Sequence, residues 1–157
     1  MKLISEVKDA KKIAIGGHVR PDGDCVCSVM ALYRYLQKEL PEAQIDIYLE
    51  KPSEVFRCIQ GMEEIHSDFQ TEEKYDVFVA LDCNDERLGE ALPIFRRAGR
   101  RINIDHHISN TGCGDLNIIE PQKSSTAELL YELMEQDAVD EEIAKAIYIG
   151  MAHDTVF

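Results

Sequence analysis

KIAIGGHVRPDGDCVCSVMALYRYLQKELP, residues 12–41, is the stretch from which the fold can be read. Its first six residues, 12–17, form an apolar run closed by two glycines and read as a short buried strand. From Gly23 to Leu40, Val26, Met30, Tyr33 and Leu36 recur at helical spacing, and Pro41 stops the run. Between the two lies a loop in which His18, Asp22 and Asp24 stand among Gly17, Pro21 and Gly23. Strand, polar loop and amphipathic helix are the opening of a βαβ unit.

Working outward, the same order repeats. Residues 44–49 (QIDIYL) alternate as a second strand, residues 51–60 read as a short helix opened by Pro52-Ser53, and Ile65 begins a small edge segment. Residues 75–81 (YDVFVAL) are rich in β-formers. A short helix is predicted near residues 93–98, and strands at 101–104 (RINI) and 116–119. Ser125-Thr126-Ala127-Glu128 fits a capping box, opening a helix to about Gln136 with Leu129, Leu130, Leu133 and Met134 on its apolar face. Asp140 caps a last helix running to about Ala152. Strands alternating with helices predict an α/β three-layer sandwich, a mainly parallel sheet flanked by helices.

Composition narrows the functions. A chain of 157 residues suits one domain, and 45 % apolar with 30 % charged residues is ordinary for a globular protein. No run is long enough to span a membrane, and MKLISEVKDAKK lacks the apolar core of an export signal, so a cytoplasmic protein is expected. The 30 acidic and 17 basic residues give a net charge of −13, which argues against a duplex-DNA binder but not against a small substrate. The five cysteines are odd in number and form no CxxC pair, as expected of reduced thiols. Cys25 and Cys27 are spaced poorly for a structural zinc site.

The unusual polar residues follow strand ends. His18, Asp22 and Asp24 follow the first strand, Asp82 ends YDVFVAL, and Asp105, His106 and His107 end RINI. In open α/β sheets ligands bind outside the carboxyl ends of the strands, so separate loops bring these groups to one edge. An isolated Asp-Gly-Asp would be a turn; a histidine and two aspartates directly after a buried strand point to a site. Asp82 taken alone reads equally as a turn residue. Two imidazoles beside a carboxylate at the end of a buried strand suit metal ligation, the carboxylate fixing a tautomer. Asp85 and Glu86 read as solvated charges, His66 and His153 as structural, and Asp154 alone as a helix-end residue.

Together, GGHVRPDGDC (16–25), LDCNDERLG (81–89), IDHHISN (104–110) and GMAHDT (150–155) resemble the four motifs of the DHH phosphoesterase superfamily, in order and over nearly the whole chain. SSTAELLYEL (124–133) resembles the segment after the third motif in the nanoRNase/pAp-phosphatase branch. The pyrophosphatase branch usually has threonine where Gly23 stands and lysine where Ile108 stands. The resemblance implies a DHH catalytic domain over residues 1–157 with two divalent cations: Mn²⁺, or Mg²⁺ or Co²⁺, given the mixed imidazole and carboxylate donors. It implies that His18 and Asp22 hold one ion, that Asp24, His106 and Asp154 hold the other, and that Asp82 bridges them. His107 would contact the scissile phosphate, Asp105 would orient the histidines, and Ser125, Thr126 and Arg20 would be substrate contacts. For Ser125 the capping role is an alternative, and for Arg20 a solvated loop position is.

The implied substrates are short oligoribonucleotides and the 3′-phosphate of pAp. Alternatives are a cyclic or linear dinucleotide phosphodiesterase and a non-catalytic metal-binding module. A homodimer is compatible with the resemblance, and no membrane partner is implied. The sequence departs from the family pattern in two places. Val156 stands where a glycine usually follows Asp-Thr, and the smaller C-terminal substrate domain usual in the family has no counterpart here.

Overall fold

The computed structural model describes residues 1–155. The departure expected at Val156 lies outside the described residues. Six strands, β1 (Lys12–Gly16), β2 (Gln44–Tyr48), β3 (Ile65–His66), β4 (Val77–Leu81), β5 (Arg100–Asp105) and β6 (Leu116–Ile119), form one sheet in the order β3-β2-β1-β4-β5-β6. Every pairing is parallel, with Ile15 opposite Ile47 on one side and Val79 on the other. Parallel strands covered on both faces need apolar residues throughout, and all five residues of β4 are buried.

The helices are α1 (Ile4–Val7), α2 (Gly23–Glu39), α3 (Leu92–Arg97), α4 (Thr126–Leu133) and α5 (Glu141–Thr155). Alternate strand residues separate two cores. Ile13, Ile15, Ile47, Val79 and Ile104 pack with α2, α4 and α5, while Ala14, Tyr48, Phe78 and Ala80 pack with Ile94 and Phe95 of α3. This is the predicted three-layer α/β sandwich. The chain builds outward from β1 to β3, then returns to β4 on the other side of β1. The strand order therefore reverses between β1 and β4, the switch point at whose carboxyl ends open α/β sheets place their ligands.

The elements depart from expectation at their margins. Residues 51–60 hold only a single 3₁₀ turn, Glu54–Phe56, in which the Val55 N–H donates to Ser53 Oγ. Only Phe56 and Ile59 face the core there, and Gly61 turns the chain with a φ of +93°. α4 ends at Leu133, short of Gln136, because Met134 takes an extended conformation to reach the core. α5 runs past Ala152 to Thr155, so Asp154 lies on the helix and not after it.

Candidate metal centre

The loop after β1 delivers His18, which is only 3 % exposed. Its Nδ1 lies 2.8 Å from the Val19 carbonyl oxygen, which places the proton on Nδ1 and turns Nε2 inward. Nε2 is 3.2 Å from Asp82 Oδ2 and 3.5 Å from Asp22 Oδ1. Asp22 caps α2, its Oδ1 accepting the Cys25 N–H at 3.0 Å. Burial alone would lower the His18 pKa, but Asp22 and Asp82 outweigh it and push it up to about 12. His18 in turn holds Asp22 down to about 2.

Asp24, the second residue of α2, points the other way. Its Oδ2 accepts the Thr126 N–H (2.9 Å) and its Oδ1 the Ala127 N–H (3.0 Å), so the first amides of α4 fix a buried carboxylate. Exposed amides at a helix start favour negative charge. Burial and the neighbouring Asp82 nonetheless push the Asp24 carboxyl up to about 8.

Asp82 follows β4 with a φ of +66°, a left-handed conformation that aspartate tolerates better than most residues. Its two oxygens divide. Oδ2 faces His18; Oδ1 accepts the Thr126 hydroxyl at 2.9 Å and lies 3.9 Å from both His106 Nε2 and His107 Nδ1.

After β5, Asp105 Oδ1 accepts the N–H groups of His106 (2.8 Å) and His107 (3.3 Å) and lies 2.7 Å from His107 Nδ1. Asp105 thus holds both backbones but only one ring. The His106 ring is set by the Lys123 carbonyl, 3.3 Å from Nδ1. That leaves His106 Nε2 buried and without a hydrogen-bond partner, although Asp154 Oδ2 is 3.0 Å away and Asp24 Oδ2 3.5 Å. Burial also raises the Asp154 carboxyl. An orphaned imidazole nitrogen facing three carboxylates fits a divalent cation: neutral imidazole and carboxylate oxygens are its ordinary donors. Two donor groups, Asp24–His106–Asp154 and His18–Cys25–Asp82, each gather three ligand atoms within 4.8 Å of one another.

The remaining expected residues fall into two sets. Ser125 is buried, with Oγ accepting the Glu128 N–H as the cap of α4, and Thr126 is buried beneath Asp24 and Asp82. Arg20 is exposed, with its N–H on Glu50 and a φ of +49°. His153 is in neither donor group: its ring lies 5.3 Å from that of Phe56 and covers Gly23, where an added Cβ would come 2.2 Å from His153 Cγ.

Three residues at the site had no assigned role in the sequence reading. Arg87 places Nη2 3.4 Å from His18 Nδ1 and contributes to holding Asp22 low. Asn110 donates to Asp105 Oδ2 (2.9 Å) and Asn103 Oδ1 (3.1 Å), and Asn103 donates to the Cys83 carbonyl (2.8 Å). A fully buried amide inside RINI was the one available signal for this network; a loop arginine gave none.

A family model described as the DHH family, N-terminal domain, matches residues 12–151, and the chain belongs to that family. The bifunctional oligoribonuclease and PAP phosphatase NrnA of Thermus thermophilus is 32 % identical, over 99 % of this chain and 47 % of that protein. Its namesake in Bacillus subtilis is 28 % identical, over 98 % and 49 %. An exopolyphosphatase-related protein from Bacteroides fragilis superposes with a TM-score of 0.86 at 28 % identity, over 98 % and 48 %. The exonuclease RecJ bound to manganese superposes at 0.58 with 19 % identity, over 98 % and 41 %, and shares the fold. The chain spans about half the length of the curated relatives it matches.

Proposed function

We propose that this chain is the metal-binding part of a phosphoesterase that hydrolyses short oligoribonucleotides and the 3′-phosphate of pAp. One observation carries the reading: the two oxygens of Asp82 face two different clusters of imidazole and carboxylate. His18 and Asp22 would hold one cation, Asp24, His106 and Asp154 the other, with Asp82 between them. Mn²⁺ suits these donors, with Mg²⁺ or Co²⁺ as substitutes. A bound pair of such ions supplies Lewis-acid charge and an activated water for in-line displacement at phosphorus.

The chain's own residues would prepare that chemistry. The α4 amides and the Thr126 hydroxyl set the angles of Asp24 and Asp82. Asp105 holds His107 by Nδ1, leaving Nε2 of a ring 47 % exposed to face a phosphoryl oxygen, to which it would donate as the imidazolium. Buried Ser125 caps a helix and Thr126 supports carboxylates; the exposed cations Arg20 and Arg87 are better placed to meet a phosphate. The activities for which the NrnA relatives are named support the substrate class. A cytoplasmic setting suits the five unpaired cysteines, and among the described residues no helix is long and apolar enough to cross a membrane.

The test is turnover of pAp, linear and cyclic dinucleotides, and pyrophosphate with Mn²⁺, beside metal analysis. Two ions per chain and release of phosphate from pAp are expected. Preference for a dinucleotide would move the reading to a phosphodiesterase. Two ions with no turnover would leave a metal-binding module whose catalysis needs more than this chain.

A further inference from the structure

We propose that Cys25 is a sulfur ligand of the cation on the His18 side, making that position softer than its neighbour; this rests on the two-ion reading above. The tight donor group on that side is His18, Cys25 and Asp82, three buried residues with ligand atoms within 4.8 Å of one another. Asp22 is not in that group. Its side chain is 60 % exposed, at the rim, and the oxygen nearest His18 also accepts the Cys25 N–H, so Asp22 would hold the ion from outside and the thiolate from within. The thiol has a cradle: a Cβ on Gly17 would come 2.3 Å from Cys25 Sγ, so only glycine leaves the sulfur its room. Cys25 lies in the first turn of α2, between Asp24, which faces the His106 cluster, and the helix interior.

The consequence is chemical. The His106 side offers one imidazole and carboxylate oxygens, a set that suits Mn²⁺ or Mg²⁺. A thiolate beside His18 shifts the other position toward Zn²⁺ or Co²⁺, which accept sulfur readily. Coordination requires the thiol to give up its proton, which passes to solvent as the S–metal bond forms. The two positions would then differ in metal preference within one site.

Co²⁺ titration of the metal-free chain, followed by absorption, decides the matter. A thiolate-to-Co²⁺ charge-transfer band in the near ultraviolet is expected, kept in Cys58→Ser and Cys83→Ser and lost in Cys25→Ser. Zinc K-edge spectroscopy of the wild-type chain should show a sulfur at about 2.3 Å. Zn²⁺ affinity in Cys25→Ser should fall about tenfold or more. Two Co²⁺ ions bound by the wild-type chain with no sulfur band and no sulfur shell would overturn the proposal and leave the two-ion reading standing. A band that survives Cys25→Ser and disappears in Cys83→Ser would overturn it too. No bound Co²⁺ at all would remove both. Absence of sulfur in the wild-type spectra overturns the proposal by itself, so it stays falsifiable even where a variant folds poorly.

Discussion

The His18 side of the site is made from one turn, residues 18–25, plus Asp82; the His106 side draws Asp24, Asp82, His106 and Asp154 from four separate elements. The first is fixed by local geometry, because a glycine-rich turn and the cap of α2 aim its donors. The second exists only once α2, α4, α5 and the sheet have packed. Local construction makes a position tolerant of distant change, while assembly from distant parts ties the position to tertiary stability. Asp82 belongs to both, and among the donor residues it alone has a left-handed backbone.

The largest effect is therefore expected from Asp82→Ala. Metal stoichiometry by calorimetry should fall from two to one or none, and turnover by about 10³-fold or more, equivalent to about 4 kcal/mol of transition-state stabilisation. Retention of two ions would break the bridging assignment. Next, His107→Ala should slow kcat by about 10²-fold or more while leaving both ions bound, since its ring faces outward. Loss of an ion in that variant would make His107 a ligand instead.

Acidity separates the metal-free and metal-loaded states. Asp24 is raised from 3.8 to about 8, so the folded chain holds its proton more tightly than the unfolded chain, and this stabilisation is lost as pH rises from about 4 to 8. His18 is raised from 6.5 to about 12 and contributes stability that fades above pH 6.5. Both run in the same direction. The chelated protein should show a falling Tm from pH 5 to pH 9, and Mn²⁺ should restore more Tm at the higher pH, because cations displace those protons. A flat Tm profile in chelator would contradict the proton-filled cluster. Asp22, lowered to about 2, acts oppositely but only below pH 4.

The smallest effects sharpen the contrast. Thr126→Val removes the hydroxyl on Asp82 Oδ1 and should weaken one of the two ions about tenfold, the His106-side one, in sequential titration. Ser125→Ala removes the α4 cap and should cost about 1 kcal/mol in denaturant unfolding with KM unchanged. A raised KM at unchanged stability would instead make Ser125 a substrate contact.

Legibility in the sequence followed the same division. β1 and β4 are readable because parallel strands covered on both faces demand near-continuous apolar runs, β5 because Ile102 and Ile104 alternate, and α2 because its apolar residues keep a helical period. The 18–24 loop announced itself by dense polarity after such a strand. Asp154 has meaning in the sequence only through the family resemblance: MAHDT carries no apolar period, so the pattern stops near Ala152 although α5 continues through the aspartate to Thr155. The tie from Asp24 to α4 spans more than a hundred residues and has no local signature. Residues 51–60 show the converse: Pro52-Ser53 gives a helix-start signal without enough inward-facing residues to sustain a turn beyond Phe56.

Asp24 has one more implication. Its carboxylate is shared between the His106 cluster and the peptide hydrogens of Thr126 and Ala127. Anything that draws on its oxygens is felt at once by those two hydrogens, deep in the molecule and far along the chain. The start of α4 thus serves as an internal gauge. Its deuterium uptake would report how full the site is, with no substrate and no label needed.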